Sequence, residues 1–117
     1  MSHVKIDSIR SSSSGTIGRA VSQSRNARLT LDSSSRPQAD TLTNSEAFLA
    51  GVASCGVTLI EMHAREARIP LEALDVTIEG VRPAAEPARF ASITMRFELT
   101  GVTQAQAEEL VGTYRGR

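Results

Sequence analysis

The chain is poor in the residues that narrow a function most. Among its 117 residues are one cysteine, one tyrosine, three phenylalanines and no tryptophan. A single cysteine closes no internal disulfide, so no oxidising compartment is implied. So few aromatics leave little to stack on nucleobases. Thirteen basic and thirteen acidic residues give a formal net charge of zero, with no electrostatic pull toward nucleic acid or anionic membrane. The N-terminus, "MSHVKIDSIRSSSSG", lacks the apolar centre of a signal peptide. The longest uncharged apolar run, "AFLAGVASCGVTLI" at 47–60, is too short by itself to span a bilayer. These absences point to a cytoplasmic protein with neither nucleic acid nor membrane as partner.

What is present reads as one domain over 1–117. Residues 1–42 hold strands and a loop, 43–70 a central helix, and 71–117 a strand pair with a C-terminal helix. Val4 and Ile6 alternate with polar neighbours, so a strand is expected over 3–9. "SSSSG" at 11–15 has turn composition. "TIGRAVS" and "ARLTLDS" predict two further strands, the second through Ala27, Leu29 and Leu31. The polar stretch 33–44 has no periodicity and is expected to be a loop able to line a site.

The helix over 43–70 is expected to be capped by Asn44 or Ser45, with Glu46 placed where the helix dipole favours negative charge. Phe48, Val52, Cys55, Leu59 and Met62 form one apolar stripe. Leu49, Ala53, Gly56, Ile60 and His63 form a second beside it. A helix apolar on adjacent stripes needs cover on more than one side, and a chain this small gains from pairing with a second copy. "IP" at 69–70 ends the helix. Strands are expected over 74–81 and 90–99, joined by a hairpin loop, then a helix capped at Thr103. The order βββ-α-ββ-α predicts the α+β class.

Cys55 on an apolar stripe reads first as a small buried hydrophobe. A reactive thiol needs a lowered pKa, and its same-face neighbours Gly51, Val52, Thr58 and Leu59 carry no charge. Any activating group must come from elsewhere in the fold or from a second chain. His63 lies eight residues on, roughly 12 Å along a helix axis, too far for a thiol–imidazole pair or a shared metal. His3 is the other histidine. No metal and no cofactor are implied.

The stretch "TNSEAFLAGVASCGVTLIEMHAREARIPLEALDVTIEG" resembles the family of osmotically inducible protein C and organic hydroperoxide resistance protein. The matching pieces are Asn44-Ser45-Glu46, Ala53-Ser54-Cys55, Arg68-Ile69-Pro70-Leu71 and the run from Leu74 to Gly80. "GRAVS" at 18–22 and "FASITMRFELTGVTQAQAEELV" are also similar to the family's pattern. The resemblance implies an OsmC-like fold, with antiparallel sheets wrapped around long central helices in an intertwined homodimer. It also implies a thiol peroxidase that reduces organic hydroperoxides in defence against oxidative stress. Its reductant would be a dithiol of the lipoyl type. Cys55 matches the family's peroxidatic position. Glu46 and Arg19 are its candidate electrostatic partners, and Phe48 and Val52 candidate walls for the substrate.

Three departures accompany the match. The family's second cysteine follows the last helix, where this chain reads "TYRGR". The acidic residue stands nine positions before Cys55 rather than ten. Thr16 occupies the place of the arginine in the hydroperoxide branch, with Arg19 three residues later. Two rivals stand beside the peroxidase: a non-catalytic OsmC-like dimer that binds a small apolar ligand around a structural cysteine, and a purely structural partner domain.

Overall fold

A computed structural model describes residues 4–115. Among the described residues the class is α+β, with two helices and two sheets. The elements are β1 (Arg10–Ser13), β2 (Arg19–Ser24), β3 (Ala27–Asp32), β4 (Leu42–Thr43), α1 (Asn44–Glu66), β5 (Ala73–Val81), β6 (Ser92–Thr100) and α2 (Gln104–Arg115). They fall into two compact units, one ending at Phe48 and one starting at Leu49.

The first unit carries a sheet of order β1-β2-β3-β4. β1 and β2 run antiparallel with Ser11 opposite Ser22, and the two hydroxyls share a hydrogen bond of 2.8 Å. β2 and β3 turn over at Arg25 and Asn26, a register that sets Arg19 opposite Asp32. β4 runs parallel to β3 and sets Thr43 opposite Asp32. One expectation fails here. No strand forms over residues 4–9 (His3 lies outside the described residues), and β1 instead occupies serines read as a turn. Val4 and Ile6 alternate correctly but are 81% and 80% exposed. Alternation makes a strand only where a neighbour supplies hydrogen bonds and covers one face. The serines need no apolar cover, because the backbone ladder to β2 holds them. The polar connection expected over 33–44 is irregular over 33–41, then forms β4 and, at Asn44, the start of α1.

α1 is capped one or two residues earlier and stops earlier than expected. Its cap is Thr43, not Asn44 or Ser45. The Thr43 hydroxyl accepts the Glu46 N–H at 3.2 Å, while Glu46 Oε1 accepts the Thr43 N–H at 2.9 Å. This reciprocal capping box satisfies two backbone donors at once. At the other end the Ile69 N–H reaches the Ala64 carbonyl at 2.8 Å and the Arg68 N–H the Arg65 carbonyl at 3.3 Å. That is a Schellman closure, with Arg68 in the left-handed conformation at φ 56° where glycine is usual. The chain therefore leaves the helix before Ile69 and Pro70.

In the second unit β5 and β6 pair antiparallel, with Leu74, Val76 and Ile78 opposite Leu99, Phe97 and Met95. These six side chains share one half-buried face, and the polar residues between them are exposed. Ile60, Ala64 and Leu110 form the buried core, packed by Ile69, Leu71, Leu74, Phe97, Leu99, Val111 and Tyr114. Thus the second stripe of α1 faces the core. On the first stripe Phe48 and Met62 stay 55% and 59% exposed. With 23 residues, α1 has the length and apolar composition to cross a membrane, which its uncharged run alone does not. Of its residues, Gly56, Ile60 and Ala64 are buried in the second unit.

α2 begins at Thr103 as expected. The Thr103 hydroxyl accepts the Gln106 N–H at 3.1 Å, and Gln106 Oε1 accepts the Thr103 N–H at 3.0 Å. Gly101 turns the chain from β6 into this cap at φ 92°. A Cβ there would lie 2.7 Å from the Pro70 carbonyl oxygen, so only glycine fits.

Candidate active site

Cys55 sits in the middle of α1 and is exposed, which corrects the reading of a buried thiol. The physical reason is the choice between stripes. Gly56 and Ile60 take the core-facing arc, leaving Cys55 about 100° away around the helix. Nothing charged is hydrogen-bonded to the thiol among the described residues of its own unit. The local bonds on that turn are backbone-directed: the Thr58 hydroxyl donates to the Cys55 carbonyl at 3.1 Å and to the Ser54 carbonyl at 3.2 Å. Val52, half-buried, lies one turn earlier on the same helix.

His63 is engaged away from Cys55. Its Nε2 lies 3.5 Å from Glu109 Oε2 on α2.

In the first unit, Arg19 and Glu46 both have defined partners. Arg19 donates from Nε to Asp32 Oδ1 at 2.8 Å and from Nη2 to Oδ2 at 3.1 Å. This bidentate fork is the strong form of a charge-assisted pair. The Thr41 hydroxyl also donates to Asp32 Oδ2. The hydrogen bond from Arg19, then that from Thr41, hold the Asp32 carboxyl below its ordinary pKa against the opposing effect of burial. The same bond to Asp32 raises the pKa of Arg19. Arg19 and Asp32 also line a cavity of about 270 Å³ with Thr16, Ile17, Gly18, Arg36 and Gln38. The Glu46 carboxylate serves the capping box described above. Phe48, two residues on, is more than half exposed.

Asp32, Thr41 and Thr43 were not singled out in the sequence. Thr43 was legible, since Thr43-x-x-Glu46 is a capping-box spacing. Asp32 and Thr41 had no local signal. Asp32 matters because strand register brings it opposite both Arg19 and Thr43, and pairing of that kind is not written in a local window.

Residues 37–115 match the model of a protein family described as OsmC-like protein. The fold recurs in the OsmC-like protein of Mycoplasma pneumoniae, with a TM-score of 0.83 at 20% identity, over 97% of this chain and 82% of that one. It recurs in an organic hydroperoxide resistance protein from Elizabethkingia anophelis at TM-score 0.75 and 16% identity, covering 99% and 85% of the two chains. A third likeness is the organic hydroperoxide resistance protein OsmC of Legionella pneumophila, at TM-score 0.71 and 21% identity, over 98% and 85%. At such identities the likeness is one of fold. No curated protein matches the chain in sequence.

Proposed function

The chain belongs to the OsmC family, and from that membership we propose that it is a thiol-dependent peroxidase with Cys55 as nucleophile. Family membership and the hydroperoxide-resistance names of two structural neighbours support a role in redox stress. The observation that carries the finer reading is the exposure of Cys55 in mid-helix, at the position that matches the family's reactive cysteine.

In the proposed reaction the Cys55 thiolate attacks one oxygen of an organic hydroperoxide. The S–O bond forms as the O–O bond breaks, and the alkoxide leaves as alcohol after taking a proton. Cys55 becomes a sulfenic acid. A dithiol of the lipoyl type then displaces water to give a mixed disulfide, and its second thiol releases reduced Cys55 and a cyclic disulfide. Glu46 and Arg19 as electrostatic partners, and Phe48 and Val52 as substrate walls, belong to this proposal. So do the homodimer, a single OsmC-like domain over 1–117, and a cytoplasmic location.

A second reading draws on one specific observation. Glu46 and Arg19 are already committed to Thr43 and Asp32, which suits a non-catalytic dimer that binds a small apolar ligand. Consumption of cumene hydroperoxide with dithiothreitol or dihydrolipoamide separates the two. Turnover that disappears in Cys55→Ser supports the peroxidase. Absence of turnover with either thiol favours the ligand-binding dimer.

A further inference from the structure

Tyr114 is the only tyrosine in the chain, and its side chain ends on the turn of α1 that carries Cys55. Its hydroxyl donates to the Val52 carbonyl at 3.4 Å. Its ring lies against Gly56, so close that a Cβ there would stand 3.3 Å from Cζ. From the other side β6 braces it: the Phe97 ring is tilted at 59° with centroids 5.9 Å apart, and Met95 Sδ lies 3.8 Å from the hydroxyl.

We infer that Tyr114 is a positioning residue for Cys55, anchoring from α2 the single helical turn that presents the thiol. This rests on the peroxidase reading. Val52 and Gly56 are the two ends of one i to i+4 helical step, and Cys55 lies inside it. Tyr114 bears on both ends, by hydrogen bond at Val52 and by ring contact at Gly56. A carbonyl has two lone pairs, so the phenol adds to the helical bond at Val52 without replacing it. Gly56 is what permits the approach. A glycine in mid-helix is less favourable than alanine, and alanine here would press on the ring. The contacts approach the turn from its buried side, which leaves the exposed thiol free to meet a substrate. The chemistry needs such an anchor, because displacement at a peroxide oxygen requires the sulfur close to and in line with the O–O bond. A misplacement of about 1 Å costs as much as a hundredfold in rate.

The test compares Tyr114→Phe, which keeps the ring and loses the hydroxyl, with Tyr114→Leu, which loses both. The readouts are the second-order rate of Cys55 oxidation by cumene hydroperoxide, the melting temperature, and amide hydrogen exchange over 52–58. The expected result is a rate about tenfold lower in Tyr114→Phe, with faster exchange over 52–58 and a melting temperature near that of the parent protein. Tyr114→Leu should lose rate and stability together. A parent-like rate and exchange in Tyr114→Phe, with losses only in Tyr114→Leu, would reduce Tyr114 to core packing and overturn the inference. Should the parent protein itself be inert to peroxide, the peroxidase reading fails. The anchor is then judged by exchange alone, and unchanged protection over 52–58 in Tyr114→Phe overturns it.

Discussion

Thr43 and Glu46 hydrogen-bond to each other in both directions at the head of α1, the Glu46 N–H to the Thr43 hydroxyl at 3.2 Å and the Thr43 N–H to the Glu46 carboxylate at 2.9 Å. The carboxylate proposed to act on the thiolate is thus also a structural element of the helix that bears it. The two roles separate by substitution. Thr43→Ala should lower stability by about 1 kcal/mol in urea unfolding. Glu46→Gln should leave stability nearly unchanged, because glutamine also closes a capping box. A several-fold slower oxidation of Cys55 in Glu46→Gln would assign the charge to chemistry. An unchanged rate would leave Glu46 a cap only.

Acid sensitivity should centre on Asp32. Its folded carboxyl is held below the ordinary range by Arg19 and Thr41. The stabilisation is therefore complete above the unfolded value of about 4 and is lost as pH falls through the folded one. Stability measured between neutral pH and pH 2 should fall along an acid limb. Asp32→Asn should flatten that limb while lowering stability at neutral pH. A limb of the same steepness in Asp32→Asn would assign the acid sensitivity to other carboxylates.

Two arginines hold left-handed backbone, Arg25 at φ 54° and Arg68 at φ 56°. That conformation costs a non-glycine residue roughly 1–2 kcal/mol. Part of the gain from glycine is offset by its freedom in the unfolded chain, about 0.4–1 kcal/mol. Arg68→Gly should therefore raise stability by about 0.5–1 kcal/mol in chemical denaturation. Arg25→Gly should act in the same direction. Gly101→Ala should do the reverse, since both φ and the Pro70 carbonyl oppose it.

Cys55→Ser should abolish thiol-dependent peroxide reduction while fold and association persist, since serine is nearly isosteric and the site is exposed. In the parent protein, mass spectrometry after stoichiometric cumene hydroperoxide should show one added oxygen or, with thiol present, a thiol adduct. An unmodified Cys55 would remove the chemical basis of the peroxidase.

Met62, seven residues beyond Cys55 on α1, should be where a second copy packs. Phe48 and Met62 are more than half exposed, and apolar groups aligned on one helix face are a reason for association. Sedimentation should find a dimer at micromolar concentration, and Met62→Glu should shift it toward monomer. A parent protein that sediments as monomer would count against the dimer.

Much of this protein was settled locally. The period of α1, the alternation of β5 and β6, and the box at Thr103 follow from residues a few positions apart, because helix and strand geometry repeat over that range. The position of Cys55 in a family pattern was equally legible. Other features depended on contacts across long stretches of chain. Val4 and Ile6 carry a strand pattern but find no cover, whereas four residues of a serine-rich run became β1 because β2 lay beside them. Two apolar stripes on α1 looked alike in sequence. Packing against Leu110 and the β5–β6 face chose the one through Gly56 and Ile60, and by that choice left Cys55 exposed. The fork from Arg19 to Asp32 depends on strand register, and the reach of Tyr114 to Val52 spans 62 positions. Local sequence determined the elements and the one thiol, since propensity and periodicity act over a few residues. Tertiary structure decided which face of the helix met solvent, since burial is a competition among surfaces that no single segment contains.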